Sequence, residues 1–289
     1  MTGSYFKHSV IHRSFNRAVS IHLTDNLCFE ANVLHDIKGG GFVLQDGRET
    51  GNVFSYNLAV FVRSSSSSYN QDLTPAAFMI ANPANTLLHN SAVGCSHYGF
   101  WYRTLDAPED PAADGKIRPN LTPFGKFFNN SAHSVGRIGL WIFPGYTPTQ
   151  QTNAYYSSSV NANNLPRPAV FDYFTSYSCD KAAEFVNSNS IQFRHFIAWD
   201  HFSTAIGTQS FSSQVDDVNS IYNAFNYNET TGSVLLDSVI VGCSSEECLP
   251  RASAKVRGVT IAAQRGQLIK NVSFINYPNS SAFIWSVAI

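Results

Sequence analysis

Two stretches near the start of the chain, SVIHRSFNRAVSIH at residues 9–22 and NVLHDIKGGGFVLQ at residues 32–45, overlay at an offset of 23 residues. The overlay puts Ile21 on Leu44, and in both stretches a short apolar run precedes a small residue and a second apolar run. A repeat of this length fits a parallel β-helix, in which three short strands make one turn and successive coils stack about 4.8 Å apart. The pattern predicts an all-β chain folded as a right-handed parallel β-helix.

The small residue recurs nine positions after the start of a strand-like run. The pairs are Ser9 and Ala18, Asn32 and Gly41, Asn90 and Gly99, Asn130 and Gly139, Phe174 and Ala183, and Phe196 and Ala205. A fixed spacing inside repeats of variable length is typical of a solenoid, and the small residue indicates a tight corner. We expect about seven or eight coils, with Gly41, Gly99 and Gly139 at equivalent positions. Long loops inserted at coil corners are predicted at residues 63–74, 104–121, 144–168 and 209–231.

Composition supports one continuous domain over residues 1–289. Charged residues make up 13% of the chain and the net charge is −1, which does not favour nucleic acid or an acidic membrane surface as partner. No apolar run reaches the roughly 18 residues that span a bilayer, and the N-terminus lacks the apolar core of a signal peptide. Because neither end carries a polar cap, we expect a segment of a larger protein. Asn residues at the turns predict hydrogen-bonded ladders along the coil axis.

Cysteines and glycosylation sequons bear on the compartment. Cys243 and Cys248 flank SSEE, and their spacing allows a small-loop disulfide in an oxidising compartment; the alternative is that all the cysteines are buried thiols. Sequons occur about as often as chance allows, so alone they do not indicate secretion. They begin at Asn120, Asn129, Asn228, Asn271 and Asn279.

Four segments together carry a resemblance to a known family. They are IHRSFNRAVSIHLTDNLCFEANVLHDIKGGGFVLQDG at 11–47, TPAAFMIANPANTLLHNSAVGCSHYGFWYR at 74–103, TPFGKFFNNSAHSVGRIGLWIF at 122–143 and RHFIAWD at 194–200. In this order they resemble the central β-helix shared by fibrocystin-L and the cell-surface hyaluronidases, and their sequence is closer to that of fibrocystin-L. The resemblance implies an extracellular or cell-surface ectodomain of a large protein.

The same resemblance implies candidate catalytic residues. In the hyaluronidase branch an Arg and nearby Asp residues are implicated in hyaluronan cleavage. The matching positions are Arg17 in FNRAV and Asp25 in HLTDN, with Asp36 in LHDI as a less certain match. No metal or cofactor site is visible in the sequence, because it contains no Cys-x-x-Cys pair and no calcium-loop pattern. Calcium bound by Asp25, Asp36 or Asp46 remains an open alternative.

The overlay itself places Arg17 beside Gly39–Gly41. Three glycines would leave a hollow in which the guanidinium could grip a uronate carboxylate with two hydrogen bonds. Two carboxylates on stacked coils would lie about 5 Å apart, near the separation of retaining glycosidases. Further candidate substrate-binding residues are His12, His22, Gly40, Asp46 and Trp101.

A structural interpretation competes at each of these positions. The overlay also pairs Arg13 with Asp36 and Asp25 with Arg48, and such inter-coil salt bridges need no catalytic role. His12 stacks on His35 as a ladder would, Asp46 precedes Gly47 as turn residues do, and the outward Trp101 ring could stack on sugars or pack.

Three functions therefore remain open. The first is a non-catalytic extracellular β-helix of a fibrocystin-L-like surface protein, binding a polysaccharide such as hyaluronan or a matrix or cell-surface protein. The second is a hyaluronan-depolymerising glycosidase. The third, a uronate lyase, is disfavoured because an Arg with a pKa above about 12 is a poor base.

Overall fold

A computed structural model describes residues 3–66, 70–109, 116–149, 167–209, 232–244, 256–262, 267–277 and 283–286. All strand pairings among these residues are parallel, and each of the first seven coils contributes one strand to each of three faces. The third face is a sheet of nine strands, so the described part of the chain contains nine coils. The predicted parallel β-helix is confirmed, with more coils than expected.

The first face is built from short strands at the start of each coil. They are β1 (Tyr5–Lys7), β4 (Cys28–Glu30), β7 (Val53–Ser55), β10 (Thr86–Leu88), β13 (Lys126–Phe128), β16 (Ala169–Asp172) and β19 (Ile191–Arg194). The second face follows one corner later. It contains β2 (Val10–Ser14), β5 (Val33–Lys38), β8 (Leu58–Arg63), β11 (Ser91–Val93), β14 (Ser131–His133), β17 (Thr175–Tyr177) and β20 (Ile197–Trp199).

Two longer strands, β22 (Ser233–Val241) and β24 (Gln267–Ile275), run through the first and second faces and join them into one 16-stranded sheet. The third face forms a separate sheet. Its strands are β3 (Val19–Ile21), β6 (Phe42–Leu44), β9 (Ala76–Ile80), β12 (Tyr98–Tyr102), β15 (Ile138–Ile142), β18 (Lys181–Val186), β21 (Thr204–Gln209), β23 (Arg257–Ala262) and β25 (Phe283–Ser286).

Strand register confirms the repeat found in the sequence. Ile21 pairs with Leu44 at the predicted offset. The register then places Gly41, Gly99 and Gly139 at one corner, with Ala77 of the third coil between the first two. An added Cβ on Gly41 would lie 2.3 Å from the Ala77 carbonyl oxygen, so the small residue is required by backbone contact between coils. One of the six nine-residue pairs read from the sequence needs correction. Leu140 pairs with Ala183, so the residue equivalent to Gly139 is Ala182.

The third coil does not show the nine-residue spacing because a loop is inserted in it. Asn57, the equivalent of Asn32, and Ala77, the equivalent of Gly41, are separated by the segment that follows β8 and contains the helix α1 (Asn70–Leu73). The predicted loop at 104–121 includes a 3-10 turn at Pro119–Leu121. The central parts of the other two predicted loops, residues 150–166 and 210–231, lie outside the described residues.

The core lies inside the coils, where alternate strand residues point inward. Phenylalanines dominate it and stack along the axis: the ring centroids of Phe42 and Phe78 are 5.2 Å apart, and those of Phe78 and Phe100 are 4.9 Å apart. All three side chains are fully buried. Repetition of one ring position on successive coils therefore builds a continuous apolar column.

The corner between the first and second faces is a single residue with positive φ, which turns the chain in the left-handed region. We call these residues the corner row: His8, Ala31, Tyr56, His89, Asn129, Tyr173, His195, Asp237 and Asn271. In the second to fifth coils the next residue is a buried asparagine, and these residues form the predicted Asn ladder, in which each carboxamide oxygen accepts from a backbone N–H of the preceding coil. The ladder bonds are Ser9 to Asn32 (3.1 Å), Asn32 to Asn57 (3.1 Å), Asn57 to Asn90 (3.0 Å) and Asn90 to Asn130 (2.8 Å).

Two further sequence features can be placed. Cys243 is disulfide-bonded, whereas Cys28, Cys95 and Cys179 are free thiols. Cys248 and the sequon residues Asn228 and Asn279 lie outside the described residues. Within the ranges that the structure covers, no helix is both long and apolar enough to cross a bilayer.

Candidate functional site

Arg17 lies at the start of the third face, just before β3. Its Nε donates to the Asp72 carboxylate at 2.7 Å, and its Nη1 donates to the side-chain oxygen of Gln45. The Arg17 side chain is only 11% exposed and that of Asp72 is 2% exposed. Asp72 belongs to α1 in the loop of the third coil, so this inserted segment lies over the guanidinium and supplies its carboxylate partner.

The prediction of an open hollow beside Arg17 is wrong. Gly39, Gly40 and Gly41 are all buried, and an added Cβ on Gly40 would lie 2.3 Å from the Cγ2 atom of Val43. The glycines allow coils to approach closely, and neighbouring atoms occupy the space that their missing side chains leave. Gly40 therefore does not line an open groove.

The two candidate aspartates have partners of their own. Asp25 is exposed after β3, and its Oδ1 accepts from the backbone N–H of Thr50 at 2.6 Å. Asp36 lies within β5 and bonds to Arg63, which holds the pKa of this carboxyl below its ordinary value. The register does place Asp36 next to Arg13, as the overlay predicted, but the Asp36 ion pair reaches Arg63 on the following coil. Arg17 and the two aspartates thus engage separate partners.

His22 and Asp46 meet at the corner that follows the third face. Asp46 is buried and accepts from the backbone N–H of Leu23 at 3.1 Å, while the half-exposed His22 places Nδ1 3.1 Å from the same carboxylate. Glu49, which the sequence did not single out, is fully buried beneath them. Its Oε2 accepts from the N–H of Gly47 at 3.0 Å. Burial, and then the neighbouring Asp46, raise the pKa of Glu49.

This arrangement ties the corner together. Asp46 therefore plays the turn role that its sequence suggested, because its carboxylate and its carbonyl are both used within the protein. The Asp46 carbonyl accepts from the backbone N–H of Glu109, in the loop of the fourth coil, at 2.8 Å. The role of Glu49 could be recognised only from the structure, because its carboxylate accepts from backbone N–H groups of its own turn.

Trp101 points outward from the third face yet is covered. It belongs to a buried cluster on the outer surface of this sheet with Val43, Met79 and Tyr98. Its indole Nε1–H donates to the Phe143 carbonyl at 3.1 Å. The ring is therefore packed in the protein and is not an open platform for a sugar.

A second surface lies at the end of the second-face strands of the first three coils. Lys38 and Arg63 end β5 and β8, and Phe15, which directly follows β2, occupies the same position on the first coil. All three are exposed, Phe15 to 83%. The Lys38 ammonium lies 5.3 Å from the centre of the Phe15 ring, which is within the range of a cation–π contact. Arg13 and the half-exposed Phe61 flank this column; we call these five residues the basic patch.

The charges of the basic patch are unbalanced. Its three cations, Arg13, Lys38 and Arg63, stand beside one carboxylate, Asp36, which is engaged by Arg63. The predicted substrate-binding residue His12 pairs with His35 at the edge of this patch, and both are exposed. His35 contacts the Phe61 ring at 5.8 Å between centroids. The 23-residue overlay already aligned Phe15 with Lys38, but Arg63 needed the register of the third coil.

In the described ranges no group of three or more His, Cys, Asp or Glu side chains is arranged to hold a metal ion. Asp25, Asp36 and Asp46, the residues considered for calcium, are engaged at different places by Thr50, Arg63 and Leu23.

Comparisons with known proteins agree with this architecture. Residues 1–140 match the family model described as the CEMIP beta-helix. Fibrocystin-L of Homo sapiens is 38% identical over 281 residues, which are 96% of this chain and 6% of that protein. The Cell surface hyaluronidase of Danio rerio is 31% identical over 170 residues, covering 50% of this chain and 12% of the relative. The mouse Cell migration-inducing and hyaluronan-binding protein is 29% identical over 214 residues, covering 60% and 16%.

Residues 1–140 therefore form a β-helix of the CEMIP type. The chain is homologous to fibrocystin-L over nearly its whole length and more weakly to the cell-surface hyaluronidases. The recognition made from the four sequence segments is thus confirmed. The chain spans only a small fraction of the length of these relatives.

Proposed function

We propose that this chain is the extracellular β-helix of a fibrocystin-L-like cell-surface protein and that it binds an acidic polysaccharide, such as hyaluronan, without cleaving it. The observation that carries the proposal is the exposed basic patch, set against the closed surroundings of Arg17. Two of the relatives are described by their names as hyaluronan-binding or as a cell-surface hyaluronidase, which supports both the compartment and the class of ligand.

The chemistry of the basic patch suits a repeating acidic sugar. Cations on successive coils repeat at about 4.8 Å along the axis, so a chain lying along the solenoid meets one after another. Arg63 is paired with Asp36 but is half-exposed and keeps further N–H donors for a sugar carboxylate. Lys38 acts as a point charge. The exposed Phe15 and Phe61 rings add apolar surface against which a sugar ring can lie. Charge attraction at such an exposed surface weakens as salt rises.

The surroundings of Arg17 argue against cleavage. Asp72 already occupies the place on the guanidinium that a uronate carboxylate would need. A guanidinium that is already paired cannot position the substrate, and such positioning supplies a large part of catalysis. Asp25 and Asp36, the candidate acid and base, engage other partners. A glycosidase would require α1 to leave the Arg17 side chain.

The test is binding of the purified chain to immobilised, size-defined hyaluronan, with neutral dextran as the comparison polymer. We expect saturable binding to hyaluronan that weakens with added salt, and none to dextran. Lys38→Glu should weaken binding at least about tenfold, equivalent to about 1.4 kcal/mol. Equal binding of both polymers, or unchanged affinity in Lys38→Glu, would refute the proposal.

A matched control is available on the first face. Lys126 is exposed and lies 5.4 Å from the Phe128 ring, a geometry close to that of Lys38 over Phe15, so Lys126→Glu makes the same charge change outside the basic patch. It should bind like the wild type. Size analysis of the hyaluronan after incubation separates binding from hydrolysis, and shortened polymer would establish the glycosidase alternative instead.

A further inference from the structure

We propose that Asn129 and Asn271 carry N-linked glycans, placed at the same corner of the solenoid on two different coils. The proposal rests on the extracellular location given in the proposed function, because the sequon N-x-S/T is used only in the secretory pathway. It does not depend on the basic patch or on its ligand.

The two sequons are structurally equivalent although they are far apart in the chain. Asn129 and Asn271 both belong to the corner row, with φ of 51° and 53°. Their sequon serines, Ser131 and Ser273, also coincide. The register connects Ser131 to Thr175, Thr175 to Ile197, Ile197 to Val239, and Val239 to Ser273.

Both asparagines lie at the protein surface. Each residue is exposed, because the positive-φ corner turns its side chain away from the core while the following residue points inward. The Asn129 Nδ2 lies 2.8 Å from the His89 Nδ1, and the Asn271 Nδ2 donates to the Asp237 carboxylate at 2.6 Å. A carboxamide has two N–H groups, and glycosylation replaces one of them. The hydrogen bond to the neighbouring coil can therefore persist in the modified protein.

The other described sequon is less accessible, although its asparagine likewise donates to a carboxylate. Asn120 is half-buried in the 3-10 turn and donates to Asp106 at 2.5 Å, and its Oδ1 atom is buried. Its sequon partner Thr122 is buried and donates its hydroxyl proton to the Arg118 carbonyl at 2.9 Å. The structure thus separates two open sequons from a packed one, which the sequence could not do.

Glycans at these positions would leave the basic patch free. Asn129 and Asn271 lie at the start of the second face, on the fifth and ninth coils. Lys38 and Arg63 lie at the opposite end of the second-face strands, on the second and third coils. The corner edge would be shielded while the polysaccharide-binding surface stays open.

The experiment is expression of the full chain behind a secretory leader in mammalian cells, followed by peptide mass spectrometry after enzymatic removal of N-glycans. Removal converts each modified asparagine into aspartate. We expect this conversion at both Asn129 and Asn271. Asn129→Gln and Asn271→Gln should each lose one glycan in gel mobility, and Ser131→Ala should lose the Asn129 glycan while keeping the asparagine.

Unmodified Asn129 or Asn271 in the secreted, folded protein would overturn the proposal. Because the leader imposes the compartment, this result would not depend on where the parent protein resides. Hyaluronan binding measured on the same material reports on the proposed function separately: absent glycans with intact binding refute only this inference, and intact glycans with absent binding refute only the other.

Discussion

Replacement of Asn57 by alanine tests the Asn ladder where it is most enclosed. Asn57 is 1% exposed. Its carboxamide oxygen accepts from the backbone N–H of Asn32 at 3.1 Å and from the Asn32 side chain at 3.0 Å. Its Nδ2 donates to the Phe29 carbonyl at 3.0 Å and to the Asn90 carboxamide at 3.0 Å. Alanine removes all four bonds at one corner.

The magnitude follows from the groups left without partners. The Asn32 backbone N–H loses its acceptor and the Phe29 carbonyl loses this donor, and both are enclosed between coils. An unsatisfied buried polar group costs about 1–3 kcal/mol. Two such groups give a loss of about 2–6 kcal/mol in the free energy of unfolding, which is a large part of what a typical domain possesses.

The assay is urea unfolding of the unglycosylated protein, followed by far-UV circular dichroism. Asn129→Ala is the matched control, because it removes the same side chain from the exposed position one residue outside the ladder, where we expect a loss below about 1 kcal/mol. Similar losses for the Asn57 and Asn129 variants would refute the argument that ladder bonds hold the corner. A much smaller urea dependence in the Asn57 variant would instead show that the coils unfold separately.

Gly41→Ala should destabilise the protein strongly or prevent folding, because its Cβ would lie 2.3 Å from a backbone carbonyl, whereas Gly207→Ala should be tolerated, since its nearest contact is a carboxylate oxygen at 3.4 Å; thermal unfolding of the two variants compares them. Burial lowers the pKa of His201 to about 4 from an ordinary value of 6.5, so the unfolded chain binds the proton first. Stability should be complete above about pH 7 and fall by about 3 kcal/mol toward pH 4, and urea titrations of His201→Gln should lack this part of the pH dependence. Asp72→Asn should remove the carboxylate that pairs with the Arg17 guanidinium, lowering the melting temperature and making added glucuronate stabilising, whereas no glucuronate effect would show that Arg17 cannot take a uronate.

Local spacing was enough to predict the coil and one of its corners. The offset between residues 9–22 and 32–45 survives as strand register, and Gly41 and Gly99 do align. These predictions succeeded because adjacent coils repeat the same steric requirement within one short stretch. The third coil was missed because an insertion separates Asn57 from Ala77, and no spacing rule survives an insertion of unknown length.

The candidate site was less predictable because its contacts come from other coils. Nothing near Arg17 in the sequence reveals that its carboxylate partner is Asp72, which reaches it from a loop two coils later. The overlay correctly placed Arg13 by Asp36, but the ion pair depended on Arg63 in the next coil. Side chains in a solenoid contact residues of neighbouring coils, so their partners can be predicted only when the register between all coils is known.

The Asn ladder also has a direction, and this bears on how the chain can fold while it is being made. The N–H of Ser9 is satisfied by Asn32, that of Asn32 by Asn57, that of Asn57 by Asn90 and that of Asn90 by Asn130. Every acceptor therefore leaves the ribosome after its donor, by 23 to 40 residues. Because domains fold from the N-terminus during synthesis, each newly emerged coil supplies the oxygen that closes the corner of the coil before it.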